Sequence, residues 1–135
     1  MIEHALYWLS TAALALLYLA SATLYVTRKA WVGQALADLG YPSYLIPMLT
    51  VLKILGVVAI LSRPSVALSD LAYAGMFYHL LLSASAHLGV RKPRGALPAA
   101  IGIVLLIASF LTQNVVREAP SPYAPGAAQQ QVILD

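Results

Sequence analysis

Lys53 and His79 are a lysine and a histidine that lie deep within two of the long apolar segments of this sequence. A charged residue near the middle of a membrane span costs about 2.5–3.5 kcal/mol on insertion scales, so it is expected to face a bundle interior, a partner or a cavity. Lys53 and His79 each lie about nine residues, or roughly 13 Å, from the same end of their segments. Their equal depth predicts a binding or catalytic site between two adjacent spans.

Each of these two residues also has a purely structural interpretation. The flexible stem of Lys53 is long enough to carry its ammonium toward the membrane interface, and His79 could form an interhelical hydrogen bond that only supports packing. In the functional interpretation, a neutral lysine at this depth would act as a base or form a Schiff base, with His79 as its partner in proton transfer. The sequence leaves both interpretations open.

Tyr78, His87 and Tyr25 complete the candidate ligand-binding residues. Tyr78 adjoins His79 in the chain, whereas His87 and Tyr25 lie near the same end of their segments. His87 follows His79 at a distance of roughly 12 Å along a helix, so the two cannot bind one metal ion. The apolar segments contain no carboxylate, and the chain contains no cysteine. We therefore expect no metal site, and the sequence assigns no catalytic residue.

The composition of the 135-residue chain excludes most classes of soluble protein. Hydrophobic residues make up 61% of it and charged residues only 10%, with a mean hydropathy of +0.80. A soluble domain carries roughly a quarter of its residues as charged ones. The net charge of +3 does not indicate nucleic-acid binding, because the basic residues lie mainly between apolar segments. Without cysteine, the chain itself can carry no disulfide and no thiol redox chemistry.

Four apolar segments predict four transmembrane helices, at residues 5–26, 44–61, 71–88 and 96–112. Each approaches the roughly 20 residues that cross a hydrocarbon core, and a helix satisfies its own backbone hydrogen bonds in lipid. Short connections between successive spans favour antiparallel neighbours. We therefore predict an all-α fold, an integral membrane antiparallel four-helix bundle over residues 1–117. Residues 118–135 are predicted to form a flexible tail that contains proline and glutamine.

Two connections carry further signals. In the loop 27–43, Trp31, Ala35 and Leu39 recur at helical spacing and predict a short helix in the membrane interface. Before the third span, Ser69 or Asp70 is available as an N-cap.

Basic residues predict the orientation of the bundle. The loops 27–43 and 89–95 hold five Lys and Arg residues, against two on the opposite face. Cytoplasmic loops collect such residues, so both loops are expected to be cytoplasmic and both termini outside. No Lys or Arg precedes the first span, which is also longer than a typical signal-peptide core, so we expect it to remain in the mature protein.

Three motifs stand out in the apolar part of the chain. They are Leu39-Gly40-Tyr41-Pro42, Leu52-Lys53-Ile54-Leu55-Gly56, and Ala72-Tyr73-Ala74-Gly75-Met76-Phe77 with Ala84 and His87-Leu88 farther along. Together they resemble the DoxX-like family of small four-span membrane proteins. The resemblance covers roughly residues 39–111. Two positions depart from the family pattern. Ser21-Ala22-Thr23-Leu24-Tyr25 lacks the small-Gly-x-x-Lys motif that ends the first helix, and His79 stands where an acidic residue is expected.

The resemblance implies a four-helix protein of a bacterial or archaeal inner membrane, without implying one established reaction. Some members of the family resemble subunits of quinone-linked sulfur oxidation or partners of redox enzymes. Together with the scarcity of catalytic groups, this favours an accessory or ligand-binding subunit that holds a lipid, a quinone or a partner near Lys53 and His79. A homodimer is a further expectation, since one small bundle leaves little interior for a large ligand.

Two other functions fit parts of the sequence. A membrane-embedded isomerase or oxidoreductase acting on a hydrophobic substrate would use Lys53 and His79 as proton donor and acceptor, so the sequence leaves open whether the protein is an enzyme. A small multidrug exporter would also have four spans. Such an exporter would be expected to carry a coupling carboxylate in its first span, and residues 5–26 contain none, so we rank this function last.

Overall fold

A computed structural model describes residues 1–127, and this part of the chain contains five α-helices and no β-strand. Four of the helices are long and apolar enough to cross a membrane, which confirms the predicted all-α, four-span architecture. In chain order the elements are α1 Ile2–Thr27, α2 Lys29–Asp38, α3 Leu45–Ser62, α4 Val66–Gly89, a short 3-10 helix Pro93–Ala96, and α5 Leu97–Val116.

The four long helices form a ring of antiparallel neighbours. α1 packs against α3 and α5, and α4 packs against the same two helices from the other side. The interior is filled by large apolar side chains from all four, among them Leu14, Val57, Met76, Leu80 and Leu106. Large apolar side chains also cover the outer surface, as expected where lipid is the solvent. We call the end with residues 63–65 and 117–127 the termini end, and the end with α2 and the 3-10 helix the loop end.

α4 begins earlier than its apolar segment predicts. Its N-cap is Ser65, whose hydroxyl accepts a hydrogen bond from the Leu68 N–H at 3.1 Å. The expectation that Ser69 or Asp70 caps this helix is therefore wrong, and Ser69 is instead buried within α4. Ser65 can act as the cap because its extended backbone lets the hydroxyl reach the first free N–H groups.

The loop predicted to hold a short helix contains α2. Val32 and Leu36 are buried against Ile46 at the start of α3, with Tyr25 of α1 packed beside them. Trp31 is exposed, so α2 contacts the bundle through Val32 and Leu36, the apolar residues that the helical pattern places beside Trp31, Ala35 and Leu39.

Residues 118–127 do not extend away from the bundle as a flexible tail would. Ser121 is fully buried, its N–H donates to Asn114 Oδ1 at 2.8 Å, and its hydroxyl donates to Asp70 Oδ2 at 3.0 Å. The Asn114 amide donates to the carbonyl oxygens of Ser121 and Ala124 at 2.8 and 3.1 Å. The guanidinium of Arg63 also donates to the carbonyl oxygen of Ala119 at 2.7 Å. Composition indicated flexibility here, whereas side chains of the bundle form hydrogen bonds with the backbone and the Ser121 hydroxyl of this segment. The remainder of the predicted tail, residues 128–135, lies outside the described residues.

Candidate functional site

Lys53 lies on the face of α3 that packs into the bundle. It shares this face with Val57 and Ile60, which follow it at helical spacing and are both buried. Only 5% of Lys53 is exposed. Its side chain therefore occupies the interior of the bundle and does not extend to the membrane interface.

His79 of α4 is the hydrogen-bond partner of Lys53. The distance from Lys53 Nζ to His79 Nε2 is 3.4 Å, and His79 Nδ1 lies 2.9 Å from the hydroxyl oxygen of Tyr18 in α1. That hydroxyl donates to the carbonyl oxygen of Met76 at 3.3 Å. The ammonium of Lys53 can only donate, so Nε2 of a neutral His79 accepts from it, and Nδ1 then carries the ring proton and donates to the Tyr18 hydroxyl. The network assigns this imidazole tautomer.

The rings of Tyr18 and Tyr25 enclose Lys53 on the α1 side. Lys53 Nζ lies 5.4 Å from the ring centroid of Tyr18 and 4.7 Å from that of Tyr25. Both distances fall within the range at which an aromatic face attracts a cation. We refer to Tyr18, Tyr25, Lys53 and His79 together as the lysine cluster.

The structure brings together three of the predicted binding residues, Lys53, His79 and Tyr25, and separates the other two. Tyr78 is 65% exposed on the outer surface of α4. His87 lies two turns nearer the loop end, where it lines a separate cavity. Neither residue belongs to the lysine cluster.

Tyr18 is the member of the cluster that sequence reasoning missed as a site residue. It lies nine residues before Thr27, the last residue of α1. That position gives it the same depth as Lys53 and His79. Its distance in residues from the end of the first span is the sequence signal that could have identified it, as the same distance identified Lys53 and His79 in the second and third spans.

The lysine cluster carries a positive charge without an opposing carboxylate. Within residues 1–127 the structure gives one ion pair, between Lys92 and Asp38 at the loop end. The same residues contain no group of three His, Asp or Glu side chains that could hold a metal ion. Lys53 has three N–H donors and one hydrogen-bond acceptor in this setting. The cluster can therefore donate further hydrogen bonds to a carbonyl or anionic oxygen.

An open strip of the α4 surface leads to the lysine cluster. Gly75 lies one turn before His79 on the same side of the helix, and a Cβ atom at Gly75 would have no neighbour within 4 Å. Gly75 is exposed and His79 is half-buried. The surface of α4 next to the half-buried imidazole is therefore open at Gly75.

A second buried polar layer lies nearer the termini end. Ser109 of α5 is hydrogen-bonded at 2.6 Å to both Thr11 of α1 and Tyr73 of α4. Arg117, just beyond α5, donates to the Tyr7 hydroxyl at 2.9 Å. These side chains form hydrogen bonds with one another across the bundle, so we interpret the layer as structural.

Sequence comparison extends the resemblance found in the motifs. No curated protein and no solved structure matches the chain. The family model for the DoxX-like family matches residues 9–110, which contain α2, α3, α4 and most of α1 and α5. The match thus includes the first span, which the motifs over residues 39–111 did not reach, and all four residues of the lysine cluster. Since it covers well over half of the sequence, the chain belongs to the DoxX-like family.

Proposed function

We propose that the protein is an accessory, ligand-binding membrane subunit that holds a lipid-soluble molecule with a quinone-like carbonyl head at the lysine cluster. The observation that carries the proposal is the buried ammonium of Lys53. It contacts an imidazole and two tyrosine rings, and no carboxylate among residues 1–127. A buried charge is costly unless additional hydrogen bonds or charges compensate it, and a ligand oxygen would supply that compensation.

The chemistry of the cluster fits a quinone head. Lys53 retains N–H groups that can donate to a carbonyl oxygen, and the partly exposed ring of Tyr25 offers an aromatic surface beside them. An apolar chain attached to the head would lie along the outside of α4, where Leu71 and Leu82 are exposed on either side of the Gly75 strip.

The absence of cysteine is also consistent with an accessory role. The sequence contains no cysteine, so no thiol of this chain can exchange electrons with a bound quinone. We infer that electron transfer is the task of a partner redox enzyme, and that this chain binds and orients the quinone.

Titration of the purified protein in detergent with decylubiquinone tests the proposal. We expect the wild-type protein to bind, and Lys53→Met to weaken binding about tenfold, because a hydrogen bond to a charged group is lost. Lys29→Met removes a charge from an exposed position of α2 and serves as the matched control that should bind like wild type. Equal binding by all three proteins would refute the proposal.

Gly75→Leu tests the approach along α4 separately. A Cβ atom at this exposed position meets nothing within 4 Å, so the fold should persist while the leucine side chain obstructs the approach to His79 and quinone binding falls. Ala74→Leu adds a leucine at a neighbouring exposed position that faces away from His79, and it should leave binding unchanged. The same loss in both variants would contradict this route.

One observation favours an enzyme as the second candidate. Lys53, His79 and Tyr18 form a continuous hydrogen-bonded chain along which a proton can move. A membrane-embedded isomerase or oxidoreductase acting on a hydrophobic substrate would use Lys53 and His79 as proton donor and acceptor. Incubating the loaded protein in D2O separates the two functions. Deuterium incorporation into carbon positions of the bound molecule, lost in His79→Gln, would favour the enzyme, and binding without incorporation would favour the accessory role.

We infer the orientation from the distribution of charge. The loop end carries five Lys and Arg residues in its connections and the termini end carries two, which favours a cytoplasmic loop end. Tyr123→Cys introduces a single cysteine at an exposed position near the termini end. An impermeant maleimide should label it in intact cells, and protection from labelling would reverse the orientation.

A further inference from the structure

We propose a second binding site at the loop end, which takes the phosphate headgroup of an anionic glycerophospholipid. The site is a cavity of about 530 Å³ between α2, the end of α4 and the 3-10 helix. Pockets of roughly 300–1,000 Å³ hold small molecules in other proteins. The residues that line it include Asp38, Leu39, His87, Lys92, Arg94 and Gly95. None of them belongs to the lysine cluster.

Lys92 and Arg94 provide the positive charge of this cavity. The guanidinium of Arg94 can bind two phosphate oxygens at once. Lys92 is paired with Asp38 across 3.9 Å, and the two side chains are 63% and 45% exposed. An exposed pair of this kind contributes little to stability, so Lys92 can turn toward a phosphate at small cost. Asp38 keeps the hydrogen bond that it accepts from the Gln34 amide at 3.0 Å.

The floor of the cavity is the imidazole of His87, which packs directly on Gly95. A Cβ atom at Gly95 would overlap the His87 ring, so the absence of a side chain there permits this close approach. His87 Nδ1 is buried without a hydrogen-bond partner among residues 1–127. The ring therefore contributes shape to the cavity.

The position of the cavity favours a lipid over a soluble phosphate. It lies where α4 ends at Gly89 and α5 begins after Ala96, which is the level of lipid headgroups around a spanning bundle. Leu88 and Leu97, beside the cavity in the chain, are both largely exposed. Acyl chains can therefore lie along α4 and α5 while the headgroup enters the cavity. Basic pockets between spans bind anionic lipid headgroups in other membrane proteins.

Native mass spectrometry of the purified chain with added phosphatidylglycerol or phosphatidylcholine tests the proposal. The wild-type protein should retain phosphatidylglycerol in preference to phosphatidylcholine. Lys92→Gln combined with Arg94→Gln should reduce retention about fivefold for each basic residue removed. Arg28→Gln combined with Lys29→Gln removes the same charge at the same end but outside the cavity, and should reduce retention by less than about twofold.

A neutral variant tests the cavity itself. Ala35 also lines it, and Ala35→Phe would fill it without changing any charge, so lipid retention should be lost while the helical circular dichroism spectrum is kept. An excess of inorganic phosphate should not displace the lipid, and displacement would overturn its assignment as the ligand. Equal retention of both lipids, or equal loss in the two charge variants, would also overturn the proposal. All the cavity variants should still bind decylubiquinone, so the proposals for the cavity and for the lysine cluster are tested independently.

Discussion

His79 Nε2 lies 3.4 Å from Nζ of Lys53, and this contact joins α3 and α4 inside the bundle. The imidazole is the one hydrogen-bond acceptor that the described residues offer to the ammonium. Since one partner is charged and no carboxylate opposes it, the two residues have unequal effects on stability. Removing the Lys53 charge removes the free-energy cost of burying it, whereas removing the His79 acceptor increases that cost.

Lys53→Met should therefore leave the free energy of unfolding unchanged or raise it, because an apolar side chain of similar length replaces an uncompensated buried charge. His79→Leu should lower the free energy of unfolding by about 1.5–3 kcal/mol, since the ammonium loses its acceptor. Thermal unfolding in detergent, followed by circular dichroism, compares the two variants. A strongly destabilised Lys53→Met beside a neutral His79→Leu would contradict the contact.

Combining the two substitutions tests their coupling. The double variant should be more stable than His79→Leu alone by about 1–2 kcal/mol, because no buried charge is left without an acceptor. The same unfolding measurement on all four proteins completes the cycle. Strictly additive effects would mean that Lys53 and His79 do not interact.

Ser109→Ala should destabilise the bundle by about 1–2 kcal/mol. The substitution removes the group that Thr11 and Tyr73 share, and interhelical hydrogen bonds in membranes are each worth about 0.6 kcal/mol or more. Ser62→Ala is the control, because the Ser62 hydroxyl bonds only to the exposed backbone of its own helix. If the two variants unfold alike, the polar layer at the termini end does not stabilise the fold.

Gly102→Leu and Gly75→Leu should affect stability differently although the substitution is the same. At Gly102 a Cβ atom would lie 2.8 Å from Leu80 and 3.2 Å from Leu17, whereas at Gly75 it would meet nothing within 4 Å. Overpacking a well-packed core costs about 1–3 kcal/mol, so Gly102→Leu should lower the unfolding temperature and Gly75→Leu should not. Equal unfolding temperatures would contradict the close packing of α5 against α1 and α4.

Asn114→Ala should release residues 118–127 from the bundle. The substitution removes both hydrogen bonds to the carbonyl oxygens of this segment and the acceptor of the Ser121 N–H. Chymotrypsin should then cleave faster at Tyr123, which is already exposed. Gln34→Ala, which changes an exposed amide at the loop end, is the control and should not alter the rate. An unchanged cleavage rate in Asn114→Ala would mean that other contacts hold the segment.

Depth in the bundle could be predicted from the sequence, because the helical rise converts residue number directly into height. This is why Lys53 and His79 were found together, and why Tyr18 could have been found in the same way. Rotation about the helix axis is harder to predict. Tyr78 is adjacent to His79 in the chain, yet the helical period turns it by about 100°, and it ends on the outer surface.

Features that depend on the hydrogen bonds of one side chain could not be predicted from composition either. Ser65 caps α4 although the apolar segment starts at Leu71. Asn114 holds a segment whose prolines and glycine are typical of a mobile tail. In both cases the decisive side chain lies outside the pattern of apolar residues on which the prediction of the spans depended.

The most direct test of the lysine cluster is a native mass spectrum of the protein purified in mild detergent, with extraction and identification of any retained molecule. We predict that the wild-type protein retains a lipid-soluble carbonyl compound and that Lys53→Met, equally folded by circular dichroism, does not. The same retained molecule in equal amount in both proteins would contradict a binding site at Lys53.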